Sequence, residues 1–170
     1  MSSKALPSRM CTVDRNQFCR ACGKFATGIT IVTSLGPEGE PHGMTANSFT
    51  SVSLAPPLVL VCVDHGCKLI GHFRRGEYFG INVLNEGQQE LSAHFARSGH
   101  DRFNGVKWQG GETGVPLFPD ALAAMECALT KTVDAGDHTI LIGEVLHIKI
   151  GEGRPLVYFG STYRKLDAET

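Results

Sequence analysis

The segment from His42 to Asp64, HGMTANSFTSVSLAPPLVLVCVD, is the most informative part of this sequence. Its last part, Leu58–Val63, is almost entirely apolar and predicts a strand that is buried on both faces. Just before it, Ser51 and Ser53 alternate with Val52 and Leu54. Because side chains alternate across a strand, one face of this second segment presents hydroxyl groups while the other face packs.

Uncharged polar side chains are concentrated in the first part of this segment. They are His42, Thr45, Asn47, Ser48, Thr50, Ser51 and Ser53. Neutral hydroxyl and amide groups can form hydrogen bonds with the edge of a large heteroaromatic ring. If these groups form a rigid polar strip, less conformational entropy is lost when a ligand binds. Pro56 and Pro57 fix the end of the strip. Threonine-rich strands and Asn-Ser turns are also common without a ligand, so both interpretations stay open.

Strand-like segments outnumber helix-like segments along the chain. Helices are predicted from Asp14 to Thr27, from Lys68 to Arg75 and from Asn85 to Arg97. Extended segments are predicted over 29–35, 42–47, 49–54, 58–63, 78–84, 122–133, 138–150 and 156–160. Because these extended segments follow one another mostly without helical crossovers, the pattern favours a mainly β, antiparallel barrel over a doubly wound parallel sheet.

Length and charge limit the classes of function. The chain has 170 residues and a net charge of −1, which favours one domain, expected over residues 13–166 after a flexible tail at 1–12. A charge so close to zero gives no reason to expect nucleic acid or an anionic membrane surface as a partner. No apolar run reaches the roughly 18 residues of a membrane helix, and no signal peptide is recognisable. We therefore expect a cytoplasmic protein.

Several common motifs are absent or incomplete. Cys19 and Cys22 form a CxxC pair, but no second pair of ligands follows, and the seven histidines do not cluster along the sequence. We therefore expect no metal site and two free thiols, half-buried on the first helix. No glycine-rich dinucleotide fingerprint is present, so a nicotinamide cofactor, if used, is not held by a Rossmann unit.

Further polar patterns suit a bound cofactor. The segment Gly136-Asp137-His138 places a histidine after a tight turn, where it can donate a hydrogen bond to a carboxamide or phosphate oxygen. Two further segments each combine an aromatic ring with a guanidinium group, namely Tyr163-Arg164 and Phe95-Ala96-Arg97. Lys68 follows Cys67 and opens a short helix, where backbone amides favour a phosphate. Each pattern is equally typical of solvated surface residues.

Taken together, several segments resemble the flavin reductase-like family, the short-chain NAD(P)H:flavin oxidoreductases of two-component flavin-dependent monooxygenases. The two specific segments are TANSFTSVS at 45–53 and GDH at 136–138. The weaker matches are ATGITIVT at 26–33, PPLVLVC at 56–62, INVL at 81–84 and PLVYF at 155–159. The resemblance extends from residue 14 to residue 165.

The resemblance implies a split β-barrel that binds FMN or FAD and works as a homodimer. It also implies that NADH or NADPH reduces the flavin by hydride transfer to N5, and that the reduced flavin serves a separate oxygenase component. The residues it assigns to the flavin are Thr45, Ala46, Asn47, Ser48, Ser51, Val52, Ser53, Cys67, Lys68, Phe95, Ala96 and Arg97. The residues it places at the nicotinamide are the catalytic His138 and its neighbours Gly136, Asp137, Tyr163 and Arg164.

One segment departs from the family pattern, and three alternatives share the same sequence features. The family commonly has hydroxyl residues at its phosphate turn, where this chain has His65-Gly66-Cys67-Lys68. The first alternative is a tightly flavinated electron carrier, or a metal or corrinoid reductase, on the same fold. The second is a flavin-binding module without enzymatic activity, and the third is a β-barrel interaction protein without a ligand.

Overall fold

The computed structural model of this chain describes residues 13–67, 69–97, 99 and 101–166. Within these residues the structure is mainly β, as the sequence predicts. Its strands are β1 (Thr27–Gly28), β2 (Thr30–Leu35), β3 (Pro41–Ala46), β4 (Thr50–Leu54), β5 (Pro57–Asp64), β6 (Tyr78–Val83), β7 (Gln109–Gly110), β8 (Pro116–Leu117), β9 (Ala123–Ala135), β10 (His138–Ile150), β11 (Val157–Phe159) and β12 (Thr162–Arg164). Its α-helices are α1 (Arg15–Cys22), α2 (Ile70–Arg75) and α3 (Gln89–Ala96), with a 3-10 turn at Glu86–Gln88.

Seven strands form one antiparallel sheet in the order β3-β2-β6-β9-β10-β5-β4. The two longest strands, β9 and β10, form a hairpin, in which His138 pairs with Ala135. Two smaller antiparallel sheets, β1-β11-β12 and β7-β8, flank the main sheet. The antiparallel architecture predicted from the sequence is therefore confirmed.

The main sheet curls so that its two ends approach each other around one core. Six of its strands contribute the buried side chains of this core, which are Val32, Ala46, Val59, Val61, Val63, Phe79, Ile81, Cys127 and Leu141. Ser48, just after β3, joins the two ends of the sheet. Its Oγ accepts a hydrogen bond from the Cys62 N–H at 3.0 Å and donates one to the Cys62 carbonyl oxygen at 3.1 Å. The result is the expected split β-barrel.

A second core lies beside the barrel and holds α3 in place. Phe95 of α3 is 1% exposed and packs edge-on against Phe103 and Phe118, with ring centroids 5.0 Å and 5.4 Å away. Edge-to-face contacts of this kind add to the stabilisation from burial. The cluster therefore fixes the C-terminal end of α3 and the loop around residue 103 against the barrel.

Three local predictions differ from the structure. Asp14 caps α1 as expected, accepting the Gln17 N–H, but the helix ends at Cys22 rather than near Thr27. Its apolar residues face solvent, since Phe18 is 60% exposed, and both CxxC cysteines are exposed rather than half-buried. In β5 only alternate residues are fully buried, so the strand has one core face and one partly covered face.

Two further expectations concern the ends of the chain and its relation to membranes. The flexible tail expected at residues 1–12 lies outside the described residues. Among the helices that the structure describes, none is long and apolar enough to cross a bilayer. The cytoplasmic location stays a prediction.

Asn82 links the barrel to the segment that follows α3. Its side chain is fully buried on β6, and its Nδ2 donates to the carbonyl oxygens of Ile31 at 3.2 Å and Pro116 at 3.4 Å. Its Oδ1 accepts the Phe118 N–H at 2.9 Å. A single amide side chain therefore pairs with three backbone groups that have no access to water.

We expect Asn82→Ala to lower the free energy of unfolding by about 3 kcal/mol, because it removes three buried hydrogen bonds and leaves the Phe118 N–H without its acceptor. Urea denaturation followed by circular dichroism measures the change. Asn104→Ala is the matched control, since Asn104 is exposed, and it should change stability by less than about 0.5 kcal/mol. Equal stability of the two variants would contradict the structural role of Asn82.

Candidate functional site

A cleft of ≈ 690 Å³ opens beside the barrel, between β3, the turn after β5 and α3. This volume lies in the range of about 300–1,000 Å³ that is typical of small-molecule sites. Four of the predicted site residues line it, namely Thr45, Cys67, Phe95 and Ala96. The cleft thus combines one hydroxyl, one thiol and an aromatic wall on three separate elements of the fold.

Thr45 and Tyr163 are connected through α3. The Thr45 hydroxyl donates to the Ser92 carbonyl oxygen at 2.7 Å, and the Ser92 hydroxyl shares a hydrogen bond with the Tyr163 hydroxyl at 2.9 Å. Ser92 is completely buried. These bonds fasten α3 to β3 on one side and to β12 on the other, so they fix one wall of the cleft.

The absence of a side chain at Gly43 lets the aromatic wall approach β3. A Cβ atom at Gly43 would lie 2.9 Å from the Phe95 ring and 3.3 Å from the Phe103 ring, so a larger residue would displace both rings. Arg102 also reaches this strand, and its Nη1 donates to the Gly43 carbonyl oxygen at 2.7 Å. The guanidinium group lines the cleft and supplies it with a permanent positive charge.

The turn after β5 is held by its own hydrogen bonds. Asp64 Oδ1 accepts the Gly66 N–H at 2.6 Å, and the Asp64 carbonyl oxygen accepts the Cys67 N–H at 2.9 Å. The Cys67 thiol lies 3.7 Å from the Met44 sulfur. The predicted phosphate ligand Lys68 lies outside the described residues. Because both amides are already paired, the turn offers a phosphate fewer free donors than a helix N-terminus.

His138 lies at the margin of the cleft. It pairs with Asp64 across β10 and β5, and Asp64 itself lines the cleft. The His138 Nδ1 is 2.7 Å from Asp137 Oδ1, and its Nε2 is 4.0 Å from Asp64 Oδ2. The hydrogen bond with His138 lowers the pKa of Asp137. Asp137 therefore orients the ring, while the Nε2 side stays available for a ligand.

A polar network ties the turn before His138 to α2. The carboxylate of Asp134 accepts hydrogen bonds from Arg74 and from the Thr139 hydroxyl. Thr139 is completely buried, and its hydroxyl also lies 3.0 Å from the His65 Nε2. The bond from Thr139 lowers the pKa of Asp134, and the nearby charges of Arg74 and His65 lower it further. The network therefore holds the β9–β10 turn in a fixed position relative to α2.

The other predicted site residues lie outside this cleft. Ala46 is buried in the barrel core, and the Ser48 hydroxyl is bonded to Cys62. Val52 lies at an irregularity where β4 shifts register against β5. The remaining predicted residues are exposed or half-exposed on neighbouring surfaces, namely Asn47, Ser51, Ser53, Arg97, Gly136, Asp137 and Arg164. In one copy of the chain, β4 does not line the cleft.

Sequence reasoning missed an ionisable cluster at one end of the cleft. The His42 and His72 rings are in contact, tilted by 32° with centroids 3.8 Å apart, and the His42 Nε2 donates to Glu40 Oε1 at 3.2 Å. Burial, and to a smaller extent the charge of His42, lower the pKa of His72. The two histidines are thirty positions apart, so no local pattern reveals the contact. Arg102 was missed for the same reason.

Comparisons with known proteins agree with this geometry. The family model described as "Flavin reductase like domain" matches residues 22–167. A "Flavin reductase (NADH)" of Kitasatospora aureofaciens is 42% identical over 165 residues, covering 92% of this chain and 84% of the relative. The reductase subunit HsaB of a flavin-dependent monooxygenase of Rhodococcus jostii is 34% identical over 158 residues, covering 92% of this chain and 80% of the relative.

A solved structure shows the same fold. It is the NADH:FAD oxidoreductase SgcE6 of Streptomyces globisporus in complex with NAD and FAD fragments. Its TM-score is 0.86 at 42% sequence identity, and the alignment covers 91% of this chain and 93% of that chain. The family match, the sequence identity and the shared fold lead to the same result. The chain belongs to the flavin reductase-like family.

Proposed function

We propose that this chain is an NAD(P)H-dependent flavin reductase, which reduces FMN or FAD and supplies the reduced flavin to a separate monooxygenase component. The observation that carries the proposal is the cleft between β3 and α3, in a chain that belongs to the flavin reductase-like family. Relatives with the names of NADH-dependent flavin reductases and of monooxygenase reductase subunits support it.

The cleft has the chemical character that a flavin nucleotide needs. The Phe95 and Phe103 rings give it an apolar wall, which suits the face of an aromatic ring system. Arg102 lines the same cleft, and its Nε is buried without a hydrogen-bond partner among the described residues. A buried guanidinium nitrogen without a partner is costly, and a phosphate oxygen is its natural ligand. The residues present therefore fit the cofactor.

When bound, the flavin accepts a hydride from the dihydronicotinamide, and this chemistry belongs to the two cofactors. The chain's own residues hold both in the orientation required for transfer, which raises their effective concentration. Thr45 is fixed by Ser92 and presents a rigid polar edge to the cleft. His138 would be oriented by Asp137, which accepts the Nδ1 hydrogen, so Nε2 is the ring nitrogen left to form a hydrogen bond with the nicotinamide carboxamide.

Anaerobic titration of the purified protein tests the proposal. FMN or FAD is added first, and NADH or NADPH second, while the visible absorption of oxidised flavin is followed. We expect the band to bleach at catalytic amounts of protein. Binding of flavin without bleaching by either donor would indicate a non-enzymatic flavin-binding module. Colour that remains after dialysis would indicate a resident cofactor rather than a released flavin.

We expect His138→Ala to slow flavin reduction by roughly tenfold to a hundredfold, because the nicotinamide loses its orienting partner. Flavin affinity, measured by quenching of flavin fluorescence, should stay nearly unchanged. The matched variant is His138→Gln, which keeps a hydrogen-bond donor and should recover part of the rate. Full activity of His138→Ala in stopped-flow measurements would remove this residue from the mechanism.

We further propose that the chain forms a homodimer through one end of its sheet. Strand β10 pairs with β5 only up to Glu144, so residues 145–150 have an unpaired edge on that side. Apolar side chains are exposed here, with Ile148 57%, Ile150 85% and the nearby Leu54 96% exposed. An unpaired edge with large apolar side chains is unfavourable in water. A second copy can cover this surface and complete the site with its own residues.

We expect Ile150→Asp to shift the protein from dimer to monomer, because a charge in an apolar interface must be desolvated. Light scattering coupled to size-exclusion chromatography measures the mass. Phe18→Asp is the matched control, since Phe18 is also exposed but lies on α1, the helix whose Arg15 acts electrostatically on Asp137 in the turn before β10. A monomeric wild-type chain at micromolar concentration would contradict the dimer.

A further inference from the structure

Three metal-ligating side chains meet at one end of the cleft, and the proposed reductase function gives none of them a role. We propose that Glu40, His42 and His72 bind a divalent transition-metal ion of the Zn²⁺ class. This departs from the sequence-based expectation of no metal site. It does not depend on the proposed flavin reductase function, because no flavin contact enters the argument.

The distances between the ligand atoms suit one ion. One ligand atom from each of the three residues lies within 4.8 Å of the other two. The His42 Nε2 and the Glu40 Oε1 are 3.2 Å apart. Two ligands of a tetrahedral zinc ion, at bond lengths near 2.0–2.1 Å, are separated by about 3.3 Å.

The backbone pre-arranges two of the three ligands. Residues 40 and 42 lie two positions apart in an extended segment, so their side chains project from the same face. The Glu38 N–H donates to Glu40 Oε2 at 3.0 Å, and the carboxylate lies against Gly36, where a Cβ atom would be only 2.0 Å from Oε1. The second carboxylate oxygen is thereby held, and Oε1 is directed towards His42.

The ligand set also agrees with the chemistry of the metal. Two imidazoles and one carboxylate are a common zinc-binding set, in which the fourth position is left to water or a substrate. Glu40, His42 and His72 all line the cleft, so the open position of the ion faces the cleft. It is therefore accessible to water or to an anionic oxygen of a molecule bound there.

Zinc titration of the untagged, metal-free protein by calorimetry, without flavin or nicotinamide, tests the proposal. We expect saturable binding at this site that weakens by more than about tenfold in His42→Gln, His72→Gln and Glu40→Gln, since each removes a ligand. His147→Gln is the matched control, because His147 is exposed and belongs to no such group among the described residues. Unchanged affinity in all three variants would overturn the proposal.

The exposed thiols are a second possible zinc site, and the experiment must distinguish it from the site at Glu40, His42 and His72. Cys19 and Cys22 are free and exposed, and thiolates are good zinc ligands. Titration with Co²⁺ separates the two, since nitrogen and oxygen ligation gives visible bands without the ultraviolet charge transfer of a cobalt–thiolate bond. Crystals of the wild-type chain soaked in ZnCl₂ should give an anomalous difference peak between Glu40 and the two histidines. A peak only at cysteines, or no peak, would overturn the site.

Discussion

The hydrogen bonds between Ser48 and Cys62 are the contact on which the site depends. A sheet with seven strands in one row would leave β3 and β4 as distant edges, but Ser48 pairs with both backbone groups of Cys62. The end of β3 is thereby fixed to the middle of β5. Because the chain continues from β5 directly into the turn at residues 64–67, this turn comes to lie beside Thr45. The cleft is the space between these two segments and α3.

The hydroxyl-rich run from Thr45 to Ser53 therefore serves several purposes that the sequence alone does not separate. The Ser48 side chain stabilises the barrel, whereas the Thr45 hydroxyl holds α3 through the Ser92 carbonyl oxygen. Ser51 lies on exposed β4, where it is open to a second copy of the chain. A run that resembles one continuous binding strip is thus divided between the core, one wall of the cleft and an outer surface.

Predictions from the sequence succeeded where the signal was local. The helical segments predicted to begin at Asp14 and Asn85 each start at a cap formed between residues three positions apart, namely Asp14 with Gln17 and Asn85 with Gln88. The end of α1 was wrong because Thr27 pairs with Tyr158 in another sheet, and this contact is invisible in the local pattern. The contact between Arg102 and Gly43 spans 59 positions, so the cationic side of the cleft could not be predicted from spacing either.

Charged side chains line the cleft, so an ion that binds at one end affects the binding of an ion at the other end. Arg102 attracts a phosphate, but Asp64 and Glu40 also line the cleft and oppose a bound anion. The Gly66 N–H partly compensates the negative charge of the Asp64 carboxylate. The negative charge of Glu40 is compensated only by the His42 ring and a backbone N–H. A divalent cation on Glu40, His42 and His72 reverses the sign of the charge at that end. Metal and anion affinity are then coupled, and each ligand must strengthen the other by the same factor.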